Sequence, residues 1–229
     1  MHDHHVGSGE AEASLGHALQ WVARRPTPTD PFWEYIGPEN WDRAVGLLVA
    51  PNEAAAVRFA TELQARYVVA GPGGPQGRLL DRLYRYDGLR RPEHFALRRF
   101  RLVTEGPRGG RPIQTSLGAG GVPVRLEGEV PYKLFEIVKG ARLEIPAASG
   151  SRVEASLAVR TPTGREFVFQ TAVRTPDGGV ARLRVPYANT PQGAQRGAFE
   201  VVTGPVWRIT IDGRDAGEVC GVGESAKKT

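Results

Sequence analysis

The chain has 229 residues, with 30 basic against 25 acidic side chains and 40% hydrophobic residues. That length holds one large domain or two small ones, and the apolar content supports a buried core rather than a disordered chain. The longest apolar run, Ala44 to Ala50, falls far short of the roughly 20 residues a membrane span needs, and the single cysteine, Cys220, excludes an internal disulfide framework or a multi-cysteine metal site.

The N-terminal stretch through His2, Asp3, His4, His5 and Gly7–Gly9 reads as a mobile terminus. Imidazoles beside a carboxylate are possible metal ligands, but a flexible segment loses most of that affinity to ordering entropy. Residues 10 to 25 have helical spacing, with Leu15, Leu19 and Val22 on one side, and Pro26, Pro28 and Pro31 then enforce irregular backbone. Asn40 to Val49 reads as a second helix. Asn52 is an N-cap for a third, which runs into the short apolar strand Arg66 to Ala70. Gly71-Pro72-Gly73-Gly74 breaks the chain. It lies between a strand and a helix, where a phosphate loop could sit, but it lacks the Gly-Lys-Ser/Thr ending and reads as a turn. A further helix covers Gln76 to Tyr86, with Leu79, Leu80 and Leu83 on its apolar side, and Pro92 to Arg98 reads as one or two more helical turns. Phe100 to Thr104 and Tyr132 to Val138 read as strands flanking a Gly/Pro-rich loop from Gly106 to Val122.

After about residue 140 the pattern changes. Val153, Ala155, Leu157 and Val159 alternate with more polar neighbours, and short strands follow over 166–173, 180–187, 198–203 and 206–211, separated by Gly/Pro/Asp turns. That rhythm predicts a small antiparallel sandwich or barrel. The predicted class is therefore α+β: a flexible N-terminus over 1–13, a mixed α/β core domain over 14–140, an all-β accessory domain over 141–223 and a disordered tail over 224–229.

The charge excess is local. Between residues 78 and 111 stand ten arginines against Asp81, Asp87, Glu93 and Glu105, a balance of +6 against +5 for the whole chain. Arg82, Arg85, Arg90, Arg91, Arg98 and Arg99 form the centre of this flank, with Tyr84, Tyr86, Phe95 and Phe100 between them. A clustered basic surface attracts anionic lipid, phosphorylated ligands or nucleic acid. The chain also has 26 arginines to four lysines, so arginine-rich coding accounts for the same skew. No nucleic-acid-binding motif accompanies the charge, and a nucleic-acid partner is not expected. No Gly-x-Ser-x-Gly elbow occurs, and Cys220, with no histidine close in sequence, reads as a small hydrophobe. The residues alone give no catalytic constellation.

Five pieces in order resemble the soluble C-terminal region of the catalytic subunit of oligosaccharyltransferase, in its archaeal and bacterial forms. They are Gly16 to Pro26 with Asp30-Pro31-Phe32; Asn52 to Ala70; Arg101-Leu102-Val103; Tyr132 to Ala141, ending in a Lys-Gly-Ala corner; and Arg184 to Thr190, with Gly164 to Phe167 upstream. The resemblance covers roughly residues 14 to 223 and implies a role in moving a lipid-linked oligosaccharide to the side-chain amide of Asn in an Asn-x-Ser/Thr sequon. The family's metal-binding acids lie on a multi-spanning membrane domain outside this sequence, so no cofactor is expected in this chain and Mn or Mg is expected only in that membrane part. The family's Trp-Trp-Asp-Tyr-Gly signature, whose first three residues hold the sequon hydroxyl, aligns with Glu12, Ala13, Ser14, Leu15 and Gly16. Ala13 offers no indole donor and Ser14 is no fixed carboxylate, so that chemistry is lost. The resemblance implies Ser14, Leu15, Gly16 and His17 as acceptor-groove positions, with Arg78 and Asp81 as the polar candidates on the matching helix Gln76 to Tyr86, where both depart from the family's pattern. The implied reading is the acceptor-peptide side of an oligosaccharyltransferase-like protein, not catalytic alone. The implied partners are an acceptor polypeptide, a membrane catalytic domain or membrane surface, and lipid-linked oligosaccharide, at the extracytoplasmic face of the cell membrane. The alternative is a binding module whose flank at 78–111 docks on anionic lipid or a phosphorylated glycan carrier.

Overall fold

The computed structural model of the chain describes residues 37–72, 74–107, 130–189 and 201–223. The first predicted helix, the histidine cluster, Ser14, Leu15, Gly16 and His17, most of the 106–122 loop and the tail from Glu224 lie outside the described residues. The described chain divides into two compact units. One takes the residues up to Asp87 together with Glu105 to Ile137. The other takes Gly88–Thr104 and Val138 onward.

In the first unit, helix α1 (Pro38–Leu48) starts with a proline in its first turn, where the missing N–H costs nothing. Helix α2 (Glu53–Glu62) is capped as expected: the Asn52 side chain accepts the Ala55 N–H at 2.9 Å. The two helices meet at Gly46, where an added Cβ would lie 2.8 Å from the Phe59 ring. Strand β1 (Tyr67–Ala70) pairs antiparallel with β3 (Lys133–Ile137), with Val68 opposite Phe135 and Ala70 opposite Lys133. Between them in sequence, helix α3 (Leu79–Tyr86) buries Leu79, Leu80 and Leu83. It starts three residues later than expected because Gly77 has φ +74° and Arg78 is extended.

In the second unit the expected helical turns over Pro92–Arg98 are replaced by a tight turn in which Arg91 and His94 exchange backbone hydrogen bonds of 2.9 and 3.1 Å. Pro92 disfavours helical backbone at Arg91. Strand β2 (Phe100–Glu105) follows. Next comes an antiparallel sandwich. One sheet holds β4 (Ala141–Pro146) and β7 (Val180–Val185). The other is built on β5 (Arg152–Arg160), with β6 (Glu166–Arg174) along one flank and β8 (Val202–Thr203) and β9 (Trp207–Ile211) sharing the other. β10 (Arg214–Val219) returns on β9 through Asp212-Gly213, both with positive φ, as a two-residue hairpin loop requires.

Alternation decides which face is core. Ala141, Leu143 and Ile145 of β4 and Ala181, Leu183 and Val185 of β7 are buried, with Val153, Ala155, Leu157 and Val159 of β5. Phe169 packs edge-to-face on Tyr187 and Trp207, at 5.4 and 6.2 Å between ring centres. The Tyr187 hydroxyl accepts the Leu102 N–H at 3.1 Å and so ties β2 to this core. The α+β class is as expected. β4 and β10 are additional strands. β10 is exposed along nearly its whole length and carries no apolar alternation that the sequence could reveal.

Candidate functional site

The acceptor-side candidates that the structure describes lie at the start of α3. Leu79 N–H donates to the Ala50 carbonyl at 3.1 Å and Arg78 N–H to the Pro75 carbonyl at 3.1 Å. Asp81 is 2% exposed. One carboxylate oxygen accepts the Gly77 N–H at 2.8 Å, and the other lies 2.8 Å from Arg85 Nε. The preceding glycine loop presses on this turn: a Cβ at Gly74 would sit 2.9 Å from the Asp81 amide nitrogen. These donors are committed and an acid stands among them, which disfavours an anion at this turn. Arg78 is exposed at the N-cap position and makes no side-chain capping bond. The structure thus presents Arg78 outward and spends Asp81 on the helix's own first turn. It does not bring the two into one polar group.

The arginines of the basic flank fall in both units. Arg82 is half-buried, and burial lowers its pKa, partly offset by the charge of Glu53. Arg85 is held by Asp81. In the second unit Arg90 pairs with Glu154 at 2.9 Å, Arg99 Nε donates to the Val138 carbonyl, and Arg91 sits in the tight turn with His94. Arg98 is exposed, and its carbonyl closes on Gly140. Much of the charge that looked like a docking surface therefore holds the chain's own loops and strand ends.

Two features escaped the sequence reading. The first is a buried polar cluster behind α3: Lys133 on β3 donates to Asp87 at 2.7 Å and to the Tyr84 carbonyl, while the Tyr84 hydroxyl donates to the Val130 carbonyl at 2.7 Å. One signal was available, because a lysine inside the apolar run Tyr132–Val138 must find a carboxylate when it is buried. The second is the Arg90–Glu154–Arg152 chain, which attaches the Gly88–Thr104 segment to β5. Among the described residues no group of three His, Cys, Asp or Glu side chains could hold a metal ion, and no helix is long and apolar enough to cross a membrane.

Residues 140–218 match the family model of the archaeal glycosylation protein B long peripheral domain. That span starts at Gly140 and runs through β4 to β10. The chain also has the fold of part of the archaeal oligosaccharyltransferase AglB from Archaeoglobus fulgidus. Against that protein in complex with an inhibitory peptide and a dolichol-phosphate, the TM-score is 0.65 at 16% identity, covering 91% of this chain and 35% of that one. Against the Archaeoglobus fulgidus oligosaccharyltransferase tethered by a disulfide bond to an acceptor peptide containing the NVT sequon, the TM-score is 0.65 at 16% identity, over 91% and 36%. Against the apo form the TM-score is 0.66 at 16% identity, over 93% and 36%. The chain thus spans about a third of the length of the structures it matches. No curated protein sequence matches this chain significantly. The family model agrees with the resemblance read from the residues over 140–218, and the structural likeness, which is one of fold, extends over 91% of the chain.

Proposed function

We propose that this chain is the acceptor-side part of an oligosaccharyltransferase-like protein of N-linked glycosylation, and that it does not transfer glycan by itself. The supporting observation is the fold correspondence over 91% of the chain with an oligosaccharyltransferase, joined to the family-model match at 140–218. In this reading the partners are an acceptor polypeptide, a membrane catalytic part and a lipid-linked oligosaccharide, and the working location is the extracytoplasmic face of a membrane. A divalent metal, Mn or Mg, would be held by acidic residues of that membrane part and would polarise the reacting groups there. What this chain adds is wall and support: α3 with Arg78 outward, braced by Asp81 and the Lys133–Asp87 pair.

The residues aligned with the family's sequon-hydroxyl pocket, Glu12, Ala13 and Ser14, carry no indole donor and no fixed carboxylate at the last two positions. Peptide bound here should therefore be held without discrimination at the hydroxyl position of the sequon. Incubating the isolated chain with lipid-linked glycan, Mn²⁺ and an Asn-Val-Thr peptide tests the reading. No glycopeptide is the expected result, and measurable transfer overturns it.

A further inference from the structure

The outer face of the β4–β7 sheet carries a pair of like charges that the fold leaves unanswered. Arg142 stands directly opposite Arg184 in the ladder, and Glu144 stands opposite Arg182. Like charges in directly opposed cross-strand positions are destabilising. The next pair is answered, with Arg182 and Glu144 3.3 Å apart. Arg142 and Arg184 are not: neither side chain has a hydrogen bond or ion pair among the described residues, and the same holds for the exposed Lys139. Three arginines and one glutamate leave this face at +2, with Lys139 adding to it two residues before the strand pair begins.

Arg184 is also held in place. An added Cβ at Gly140 would lie 2.9 Å from Arg184 Cγ, 2.9 Å from the Arg98 carbonyl and 3.0 Å from the Val185 carbonyl. The missing side chain at Gly140 is the notch that receives the Arg184 stem. An arginine whose stem is packed loses less freedom when its guanidinium takes a partner.

The geometry points to a docking face for anionic lipid headgroups, made by Arg142 and Arg184 with Lys139 beside them. Charge complementarity calls for an anion, and guanidiniums bind phosphate oxygens in two-point fashion. The openness of the face selects a surface partner over an enclosed small anion. The pairs along it are Arg142/Arg184, Glu144/Arg182 and Pro146/Val180. None is aromatic, so it has no platform on which nucleic-acid bases could stack. These residues lie outside the 78–111 flank, and the inference does not depend on the glycosylation reading.

Co-sedimentation of the full chain with phosphatidylcholine vesicles, with and without about 30 mol% phosphatidylglycerol, tests it. Binding is expected for the anionic vesicles only, falling as salt is raised. The double variant Arg142→Ser/Arg184→Ser should lose about thirtyfold in partitioning, from about 1 kcal/mol per basic residue near the surface. Arg160→Ser/Arg214→Ser removes the same charge from exposed positions on β5 and β10 and should retain binding. Equal pelleting with both vesicle types, or an equal loss in both double variants, overturns the assignment. Saturable binding of inorganic pyrophosphate or a single-stranded oligonucleotide at Arg142 and Arg184, without vesicle binding, also overturns it.

Discussion

Lys133 shows how one buried cation constrains its surroundings. Its ammonium is 2.7 Å from Asp87, and both side chains are about nine-tenths buried. Asp87 ends α3 at φ +58°, a conformation that Asp and Asn tolerate better than most residues. Lys133→Met takes the ammonium away from that buried carboxylate, and should cost about 3 kcal/mol in urea unfolding. Adding Asp87→Asn removes the buried charge that Lys133 balanced, keeps the backbone tolerance and should recover part of the loss. Gly140 is constrained differently, by φ +76° and by carbonyls 2.9–3.0 Å from where a Cβ would stand. Gly140→Ala should destabilise by about 2–4 kcal/mol, from the left-handed penalty and overpacking together. The sequence marked the Lys-Gly-Ala corner only by resemblance. The reason for the glycine lies in Arg98 and Arg184, which approach it from 42 residues before and 44 after, so no local pattern could show it.

At the level of elements, α3 and the sandwich strands were legible because their apolar periodicity is local: Leu79, Leu80 and Leu83 on the helix, and Val153 to Val159 on β5. The Asn52 cap was legible for the same reason. The Pro92–Arg98 segment was misread because its conformation answers to long-range ties, with Leu97 N–H on the Gly88 carbonyl at 2.7 Å and Arg90 on Glu154. Those ties give a pH signature. The Glu154 pKa is lowered, first by the hydrogen bond from Arg152 and also by that from Arg90. A carboxylate with a depressed folded pKa contributes stability above its unfolded value of 4.5, and that stability is lost as pH falls through the folded value. Glu154 is partly solvated, so the contribution is under about 1 kcal/mol. Urea midpoints measured between about pH 5 and pH 3 should fall less steeply for Glu154→Gln than for the parent chain.

Across the whole molecule, Gly88–Thr104 belongs with the residues from Val138 onward, an arrangement that no linear boundary expresses. A fragment of residues 138–223 lacks the Leu102 donor to Tyr187, the Arg90 partner of Glu154 and the Arg99 donor to Val138. It should show weaker amide protection along β5 and β7 than a fragment of residues 88–223. The candidate site was less legible than the fold. Resemblance pointed to α3, but burial turned Asp81 inward and left Arg78 outward, a distinction that depends on packing rather than on residue type. The central claim is that this chain offers an acceptor-peptide surface without sequon selectivity. Photocrosslinking tests it most directly, using Asn-Val-Thr and Asn-Val-Ala peptides that carry the same photoreactive group, with unlabelled peptide as competitor. The account predicts saturable crosslinks on the unit that contains α3, with equal yield for the two peptides. Crosslinking no stronger than to the unfolded chain, or a clear preference for the threonine peptide, would contradict it.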